Sequence, residues 1–238
     1  VLFYQPQVDT EGRVVGAEAL LRWRDAKGGL LRPADFMQAA EDTGFILPLG
    51  HWVLQEACRQ LAAWQSQPAQ RHLRLSVNIS ALQLRQPDFV QQVGDVILRS
   101  GVSAEQLTLV LTESVLVHDM EDAVGKMRAL HAMGVRLSLD DFGAGYSSLS
   151  YLRELPFAEM KIDRAFTRGI VRDAHAASIS RNLLQLGRDL GIDVIAEGVE
   201  QEDQFALLGE QGCGLFQGYL FGRPMEVDAF NQRLLTAP

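Results

Sequence analysis

Cysteine is scarce in this 238-residue chain, which contains only Cys58 and Cys213. The two lie far apart, and no CxxC pair or zinc-finger spacing is present. This excludes a disulfide-dense secreted scaffold and a structural zinc site. We expect both residues to be buried, reduced thiols, as is usual in a cytosolic protein.

Long apolar runs and a secretory signal segment are also missing, so the sequence predicts no membrane-spanning helix and no direct membrane insertion. We expect a cytoplasmic location, which includes the cytoplasmic part of a membrane-anchored protein. The first residues already read as a strand, which favours one domain over residues 1–238, excised from a larger multidomain signalling protein.

Positive charge is in short supply, with 22 Lys and Arg against 30 Asp and Glu, a net charge of -8. Such a surface repels nucleic-acid polymers, which excludes them as expected partners. A small phosphorylated ligand remains compatible with it, provided that metal ions supply positive charge locally.

No Ser-His-Asp or Cys-His arrangement suggests a protein nucleophile. The five histidines are predicted on helices or loops, away from the strand ends, where surface or capping roles are expected: His51, His72, His118, His131 and His175.

What the chain does contain is a regular alternation of strands and helices, with glycines closing several helices. The strands are predicted at Leu2–Val8, Val14–Trp23, Leu73–Ile79, Gln106–Thr112, Val135–Asp140, Ala158–Ile162, Ile192–Glu197 and Gly214–Phe216. The helices are predicted at Pro33–Thr43, Leu49–Trp64, Pro87–Ser100, Met120–Met133, Ala165–Leu190 and Gln201–Gln211. The pattern predicts a parallel α/β barrel, in which the first two strands pair antiparallel through the turn at residues 9–12.

Six of the strands carry a polar residue at or near the carboxyl end: Glu18, Asn78, Asp140 with Asp141, Lys161, Glu197 and Gln217. Strand ends converge on one face of a parallel barrel, so these side chains should meet there. Carboxylates, an amide and a lysine together indicate a divalent-metal site that acts on an anion. The structural alternative is a set of internal ion pairs, such as Lys161 with a nearby acid.

Strand alternation singles out Val110. Leu107, Leu109 and Leu111 should face the helices, which directs Thr108, Val110 and Thr112 into the barrel. Val110 is therefore an apolar break in a line of polar side chains.

Several short motifs in order resemble the EAL family of cyclic di-GMP phosphodiesterases. They are Tyr4-Gln5-Pro6, Glu18-Ala19-Leu20-Leu21-Arg22-Trp23, Ser76-Val77-Asn78-Ile79-Ser80, Leu111-Thr112-Glu113-Ser114, the run from Asp140 to Leu149, Lys161-Ile162-Asp163, Ala196-Glu197-Gly198-Val199-Glu200 and Gln217-Gly218-Tyr219. The resemblance covers nearly the whole chain. It implies a modified TIM (β/α)8-type barrel with an antiparallel strand near the N-terminus, and two catalytic Mg²⁺ or Mn²⁺ ions.

The resemblance also implies residue roles. Glu18, Asn78 and Asp140 would hold the first metal, while Asp140 would bridge to a second one held by Asp141 and Glu197. Lys161 would orient the attacking water, and Glu113 would brace the loop from Asp141 to Ser148. Contacts to the substrate are expected from Gln5, Leu21, Arg22, Asp163, Glu200 and Gln217, with Arg22 on a phosphate. A homodimer through the loop and helix after Asp141 and regulatory sensor or GGDEF-type domains are the implied partners.

One position departs from the family pattern, because Val110 stands where the family usually has a glutamate ligand of the first metal. We expect weaker binding of that metal and slower hydrolysis of cyclic di-GMP to linear pGpG, with the substrate pocket intact. The alternative is a binding module that holds cyclic di-GMP and hydrolyses little of it. A third reading, an unrelated barrel hydrolase, would explain the fold but not the ordered motifs.

Overall fold

The computed structural model describes residues 1–112, 115, 119–142 and 155–236, with the backbone alone at 141, 142 and 236. Eight strands form a closed barrel, β1 Leu2–Val8, β2 Val14–Leu21, β5 Arg74–Asn78, β6 Leu107–Thr112, β7 Arg136–Phe142, β8 Glu159–Ile162, β9 Asp193–Ala196 and β10 Leu215–Gln217. Their order around the barrel is β1-β10-β9-β8-β7-β6-β5-β2. Strand β1 runs antiparallel to both of its neighbours, whereas the other pairs are parallel. The prediction of a TIM-type barrel with an antiparallel strand near the N-terminus is therefore confirmed.

The described helices lie between and after these strands. They are α1 Met37–Asp42, α2 Ile46–Gln65, α3 Ala81–Leu84, α4 Phe89–Ser100, α5 Met120–Ala132, α6 Arg164–Arg168, α7 Ala174–Leu190, α8 Glu202–Glu210 and α9 Val227–Thr236. Short 3₁₀ turns occupy Pro33–Asp35 and Ala104–Gln106. Within the described ranges, no helix is both long and apolar enough to cross a membrane.

Two predicted helices are each broken into shorter pieces. The segment Pro33–Thr43 is interrupted at Phe36, whose backbone is not helical and whose ring packs 5.8 Å from that of Trp23. The segment Ala165–Leu190 divides at Asp173, whose side chain caps α7 by accepting the His175 N–H. A tertiary contact in one case and a capping side chain in the other override local helix propensity.

The sequence prediction had no counterpart for helix α3, the 3₁₀ turn Ala104–Gln106, a small hairpin and helix α9. The hairpin joins β3 Trp23–Arg24 to β4 Leu30–Leu31, where the prediction ran the second strand on to Trp23. Helix α9 packs its Phe230 ring against Trp64 and Tyr4, with centroids 5.2 and 6.1 Å apart. The hairpin and helix α9 are stabilised by contacts with distant parts of the chain, and local sequence periodicity does not reveal such contacts.

The alternation of side chains along the barrel strands is confirmed. Leu107, Leu109 and Leu111 belong to the apolar core between barrel and helices. The opposite set points inward, and the barrel interior holds buried polar side chains at Ser76, Thr108, Ser138, Glu159 and Lys161. Both cysteines are buried free thiols, as expected.

Candidate active site

A cavity of about 800 Å³ opens at the carboxyl ends of the barrel strands. It is lined by eight of the residues that the sequence predicted as site residues, Gln5, Glu18, Leu21, Asn78, Asp140, Glu197, Glu200 and Gln217. They come from six different strands or the loops that follow them, so only barrel closure brings them together.

Lys161 forms the floor of this polar cluster and is fully buried. Its ammonium nitrogen lies 2.8 Å from Glu18 Oε2 and 2.9 Å from Glu197 Oε1. The charges of Glu18, Glu197 and Asp140 outweigh burial and raise the pKa of Lys161 well above its ordinary value. The lysine therefore stays positively charged inside the barrel.

Glu18 is held as an anion by three donors. Besides Lys161, the Asn78 Nδ2 and Gln217 Nε2 groups each donate to it at 2.6 Å. Burial alone would raise the pKa of Glu18, but the lysine charge and these hydrogen bonds together keep that pKa below its ordinary value.

The pKa of Glu197 is shifted in the opposite direction from that of Glu18. Burial raises the pKa of this carboxyl to about 7, the Lys161 charge opposes the rise, and the Glu18 and Asp140 charges add to it. One lysine thus faces three carboxylates in a region of low dielectric. The cluster lacks positive charge, and a divalent cation would supply it.

The donor set fits such an ion, because carboxylate and amide oxygens are the ligands that Mg²⁺ and Mn²⁺ prefer. In the geometry described, Glu18 and Glu197 are turned to Lys161. No three His, Cys, Asp or Glu side chains in the described ranges are grouped tightly enough to hold a metal. The side chain of Asp141 and the whole of Glu113 lie outside the described residues, so their predicted roles stay predictions.

Val110 lines the cavity and is 2% exposed. It pairs in register with Asn78 on one side and with Ser138 on the other. The apolar break expected from the sequence therefore lies in the cavity wall, between the strands that carry Asn78 and Asp140.

Two of the predicted substrate contacts are not among the residues that line the cavity. Arg22 donates to its neighbour's carbonyl, Leu21 O, at 2.8 Å, and its guanidinium stands 5.7 Å from the centre of the Phe3 ring. Asp163 caps α6 by accepting the Ala165 N–H at 2.8 Å. Neither residue is placed against the acidic cluster.

Sequence reasoning missed Arg164 and Arg168, which line the cavity from helix α6. A signal was available: two arginines four apart directly follow Lys161-Ile162-Asp163, on the first turns after a barrel strand. For the segment after the hairpin, the sequence predicted a helix but no place in the site. Pro33, Met37 and Glu41 of this segment line the same cavity.

The family model of the EAL domain matches residues 1–224. The chain belongs to the EAL family. Phosphodiesterases of this family depend on metal ions in general.

Among curated relatives, the chain is 43% identical over 229 residues to the bifunctional diguanylate cyclase/cyclic di-GMP phosphodiesterase MucR of Pseudomonas aeruginosa. It is 39% identical over 225 residues to the cyclic di-GMP phosphodiesterase PA2567 of the same species. These matches cover 96% and 94% of this chain but 33% and 38% of the relatives. The EAL domain thus spans little more than a third of their length.

Solved structures agree with the family assignment. The PaMucR phosphodiesterase in complex with c-di-GMP superimposes with a TM-score of 0.92 at 42% identity, covering 97% of this chain and 93% of that one. The EAL enzyme Bd1971, with cAMP and cyclic di-GMP bound, gives a TM-score of 0.94 at 31% identity, over 98% of this chain and 64% of that one.

Proposed function

We propose that this EAL domain is a metal-dependent phosphodiesterase that hydrolyses cyclic di-GMP to linear pGpG. The observation that carries the proposal is the buried cluster of Glu18, Asp140 and Glu197 around Lys161, open to a cavity of about 800 Å³. A cavity of that size suits a dinucleotide-sized ligand better than a metabolite of a few atoms. Relatives named as cyclic di-GMP phosphodiesterases support the choice of substrate.

Two Mg²⁺ or Mn²⁺ ions would activate a water molecule and neutralise the charge of the phosphodiester. Glu18, Asn78 and Asp140 would hold one ion, and Asp140, Asp141 and Glu197 the other. The contacts of Lys161 with Glu18 and Glu197 hold these two carboxylates beside the cavity.

The protein's own groups would then place the reactants. Lys161 donates to Glu18 and Glu197, and its third N–H would donate to the attacking water or a phosphate oxygen. Arg164 and Arg168 would offset the charge of the second phosphate from helix α6. Gln5, Leu21 and Glu200 would contact the nucleotides along the cavity wall. Arg22 and Asp163, which neighbour the lining residues Leu21 and Arg164 in sequence, would have to turn towards the cavity to do so.

The second candidate is a cyclic di-GMP receptor with little hydrolysis, and Val110 favours it. This valine replaces an expected metal ligand in the cavity wall while the rest of the cavity keeps its polar lining. Such a domain would bind the dinucleotide and signal through its conformation.

Incubation with cyclic di-GMP and Mn²⁺, followed by nucleotide chromatography, separates the two candidates. We expect linear pGpG from the parent protein and none from Asp140→Asn, because that change removes a full charge from the proposed bridging ligand. Unchanged cyclic di-GMP that stays bound to the parent protein would favour the receptor. Parental turnover by Asp140→Asn at saturating Mn²⁺ would contradict the metal assignment.

We further infer that this domain is part of a longer cytoplasmic or membrane-anchored signalling protein, with sensor or GGDEF-type domains beside it. The lengths of the relatives support this, since the match covers only 33% of MucR. The proposed homodimer contact through the segment after Asp141 falls outside the described residues, and sedimentation of the isolated domain would test it.

A further inference from the structure

Gln7 is a buried amide on β1 that the mechanism above does not use. It is 5% exposed and lies directly across the β1–β10 pair from Gln217, with which it is in register. Its Nε2 group donates to Gln217 Oε1 at 3.0 Å. Gln7 thus contacts Gln217, which lines the cavity, although Gln7 is not itself among the lining residues.

This hydrogen bond favours the orientation of the Gln217 amide in which its nitrogen faces the cluster. A primary amide has an oxygen that only accepts and a nitrogen that only donates. Because Gln7 occupies the oxygen, the Gln217 nitrogen is turned to Glu18 Oε2 at 2.6 Å and to Gln5 Oε1 at 3.3 Å. A reversed Gln217 would point its oxygen at the Glu18 carboxylate and repel it.

The barrel leaves a fitted space for the Gln7 side chain. Gly16 pairs with Gln7 on the neighbouring strand, and a Cβ at Gly16 would lie 3.2 Å from Gln7 Oε1 and 2.9 Å from the Arg74 carbonyl. A small residue at this position therefore gives the amide room inside the barrel wall.

We propose that Gln7 is a positioning residue for metal binding, acting on Glu18 through the orientation of Gln217. The inference rests on the proposed function, because it needs Glu18 to be a metal ligand. Hydrogen-bonded neighbours of a ligand fix its orientation, and their loss weakens metal binding.

The test measures Mn²⁺ binding in the absence of substrate. The concentration of free Mn²⁺ is determined from its electron paramagnetic resonance signal. The proteins are the parent, Gln7→Met, Gln217→Met and the double variant. Methionine keeps the length of the side chain while removing both the donor and the acceptor. Gln70→Met serves as the matched control, since Gln70 is similarly buried at 6% exposed and does not line the cavity.

We expect Gln217→Met to weaken Mn²⁺ binding about tenfold, the lower end of the range typical of residues that support a metal ligand. Gln7→Met should weaken it by about tenfold at most, because Gln7 acts only through Gln217. In the Gln217→Met background, Gln7→Met should have little further effect, because the two act in series. Gln70→Met should bind Mn²⁺ like the parent.

Unchanged or tighter Mn²⁺ binding by Gln7→Met would overturn this inference but not the proposed function. Effects of the two substitutions that add fully in the double variant would do the same. A parent protein that binds no Mn²⁺ would overturn the metal site of the proposed function and this inference with it. Thermal unfolding of each variant checks that it is folded, and Gln7→Leu is the substitute if Gln7→Met does not fold.

Discussion

Val110 lines the cavity with a side chain that offers no oxygen atom, between the strands that carry Asn78 and Asp140. Its strand neighbours in register are Asn78 and Ser138, and the nearby acids share a single lysine. At the scale of one residue, we therefore expect this side chain to weaken the binding of the proposed first metal.

Val110→Glu should raise hydrolytic activity, chiefly at low metal concentration. The new carboxylate would complete the set of oxygens around the first metal and tighten its binding on the order of tenfold, or about 1.4 kcal/mol. The gain should shrink at millimolar Mn²⁺, where mass action fills a weakened site.

Turnover measured against Mn²⁺ concentration for both proteins checks this prediction. Superimposable curves would mean that position 110 does not influence the metal, and the receptor hypothesis would then lose its support.

Glu159 lies inside the barrel, two residues before Lys161 on β8, and makes stability depend on pH. Burial raises the pKa of its carboxyl above the ordinary 4.5, although Lys161 and Arg136 partly offset the rise. A raised pKa in the folded state means that the protonated form favours folding, so this contribution is lost as pH increases from about 4.5 through the raised value.

Glu159→Gln removes that dependence. We expect the variant's free energy of unfolding, relative to the parent's, to increase as pH rises from 4.5 to 8. Urea unfolding across this range measures the difference, and a constant difference between the two proteins would refute the assignment.

At the scale of elements, the loops after β9 and β10 hold each other in place. The Val199 N–H donates to the Gln217 carbonyl at 3.2 Å, and the Leu220 N–H donates to the Val199 carbonyl at 3.1 Å. Gly218 lies so close that an added Cβ would overlap the Val199 backbone. Glu197 begins the loop after β9 and Gln217 directly precedes the loop after β10, so the packing of the loops sets the position of both site residues.

Gly218→Ala should destabilise the protein by about 2–3 kcal/mol, since neither backbone can move without breaking these bonds. It should also reduce hydrolysis by displacing Gln217. Gly214→Ala is the control, because no atom lies within 4 Å of the Cβ it would add. Chemical unfolding and turnover should distinguish the two variants. Equal free energies of unfolding and equal turnover would show that the loops are not tightly coupled.

At the scale of the whole molecule, closure of the barrel concentrates acids from separate strands at one end. The chain carries a net charge of -8, and part of that charge is gathered around Lys161. Repulsion among these acids opposes folding, and a cation bound only by the folded state would relieve it.

Saturating Mn²⁺ should therefore raise the unfolding temperature. At one hundred times the dissociation constant the gain is about 2.7 kcal/mol, or about 5–10 °C for a domain of this size. Asp140→Asn should lose most of this shift. Scanning calorimetry with and without Mn²⁺ tests it, and an equal shift in both proteins would place the stabilising metal elsewhere.

Much of the architecture could be predicted because its signals are local. Strand alternation separates Leu107, Leu109 and Leu111 from the inward-facing set and predicts that Val110 faces into the barrel. The polar strand ends predicted which carboxylates share one face, since parallel strands present their carboxyl ends together.

The tertiary structure alone decided which of these groups touch. Lys161 meets Glu18 across 143 residues of sequence, and Gln7 meets Gln217 across 210. Both pairings depend on how the barrel closes, with β1 antiparallel between β10 and β2. The sequence by itself determined which side chains point inward, because that follows from the alternation of a strand. The partners and the pKa shifts of these side chains depend on distances that exist only once the barrel has closed. The same holds for the hydrogen bonds that lead from Gln7 through Gln217 to Glu18.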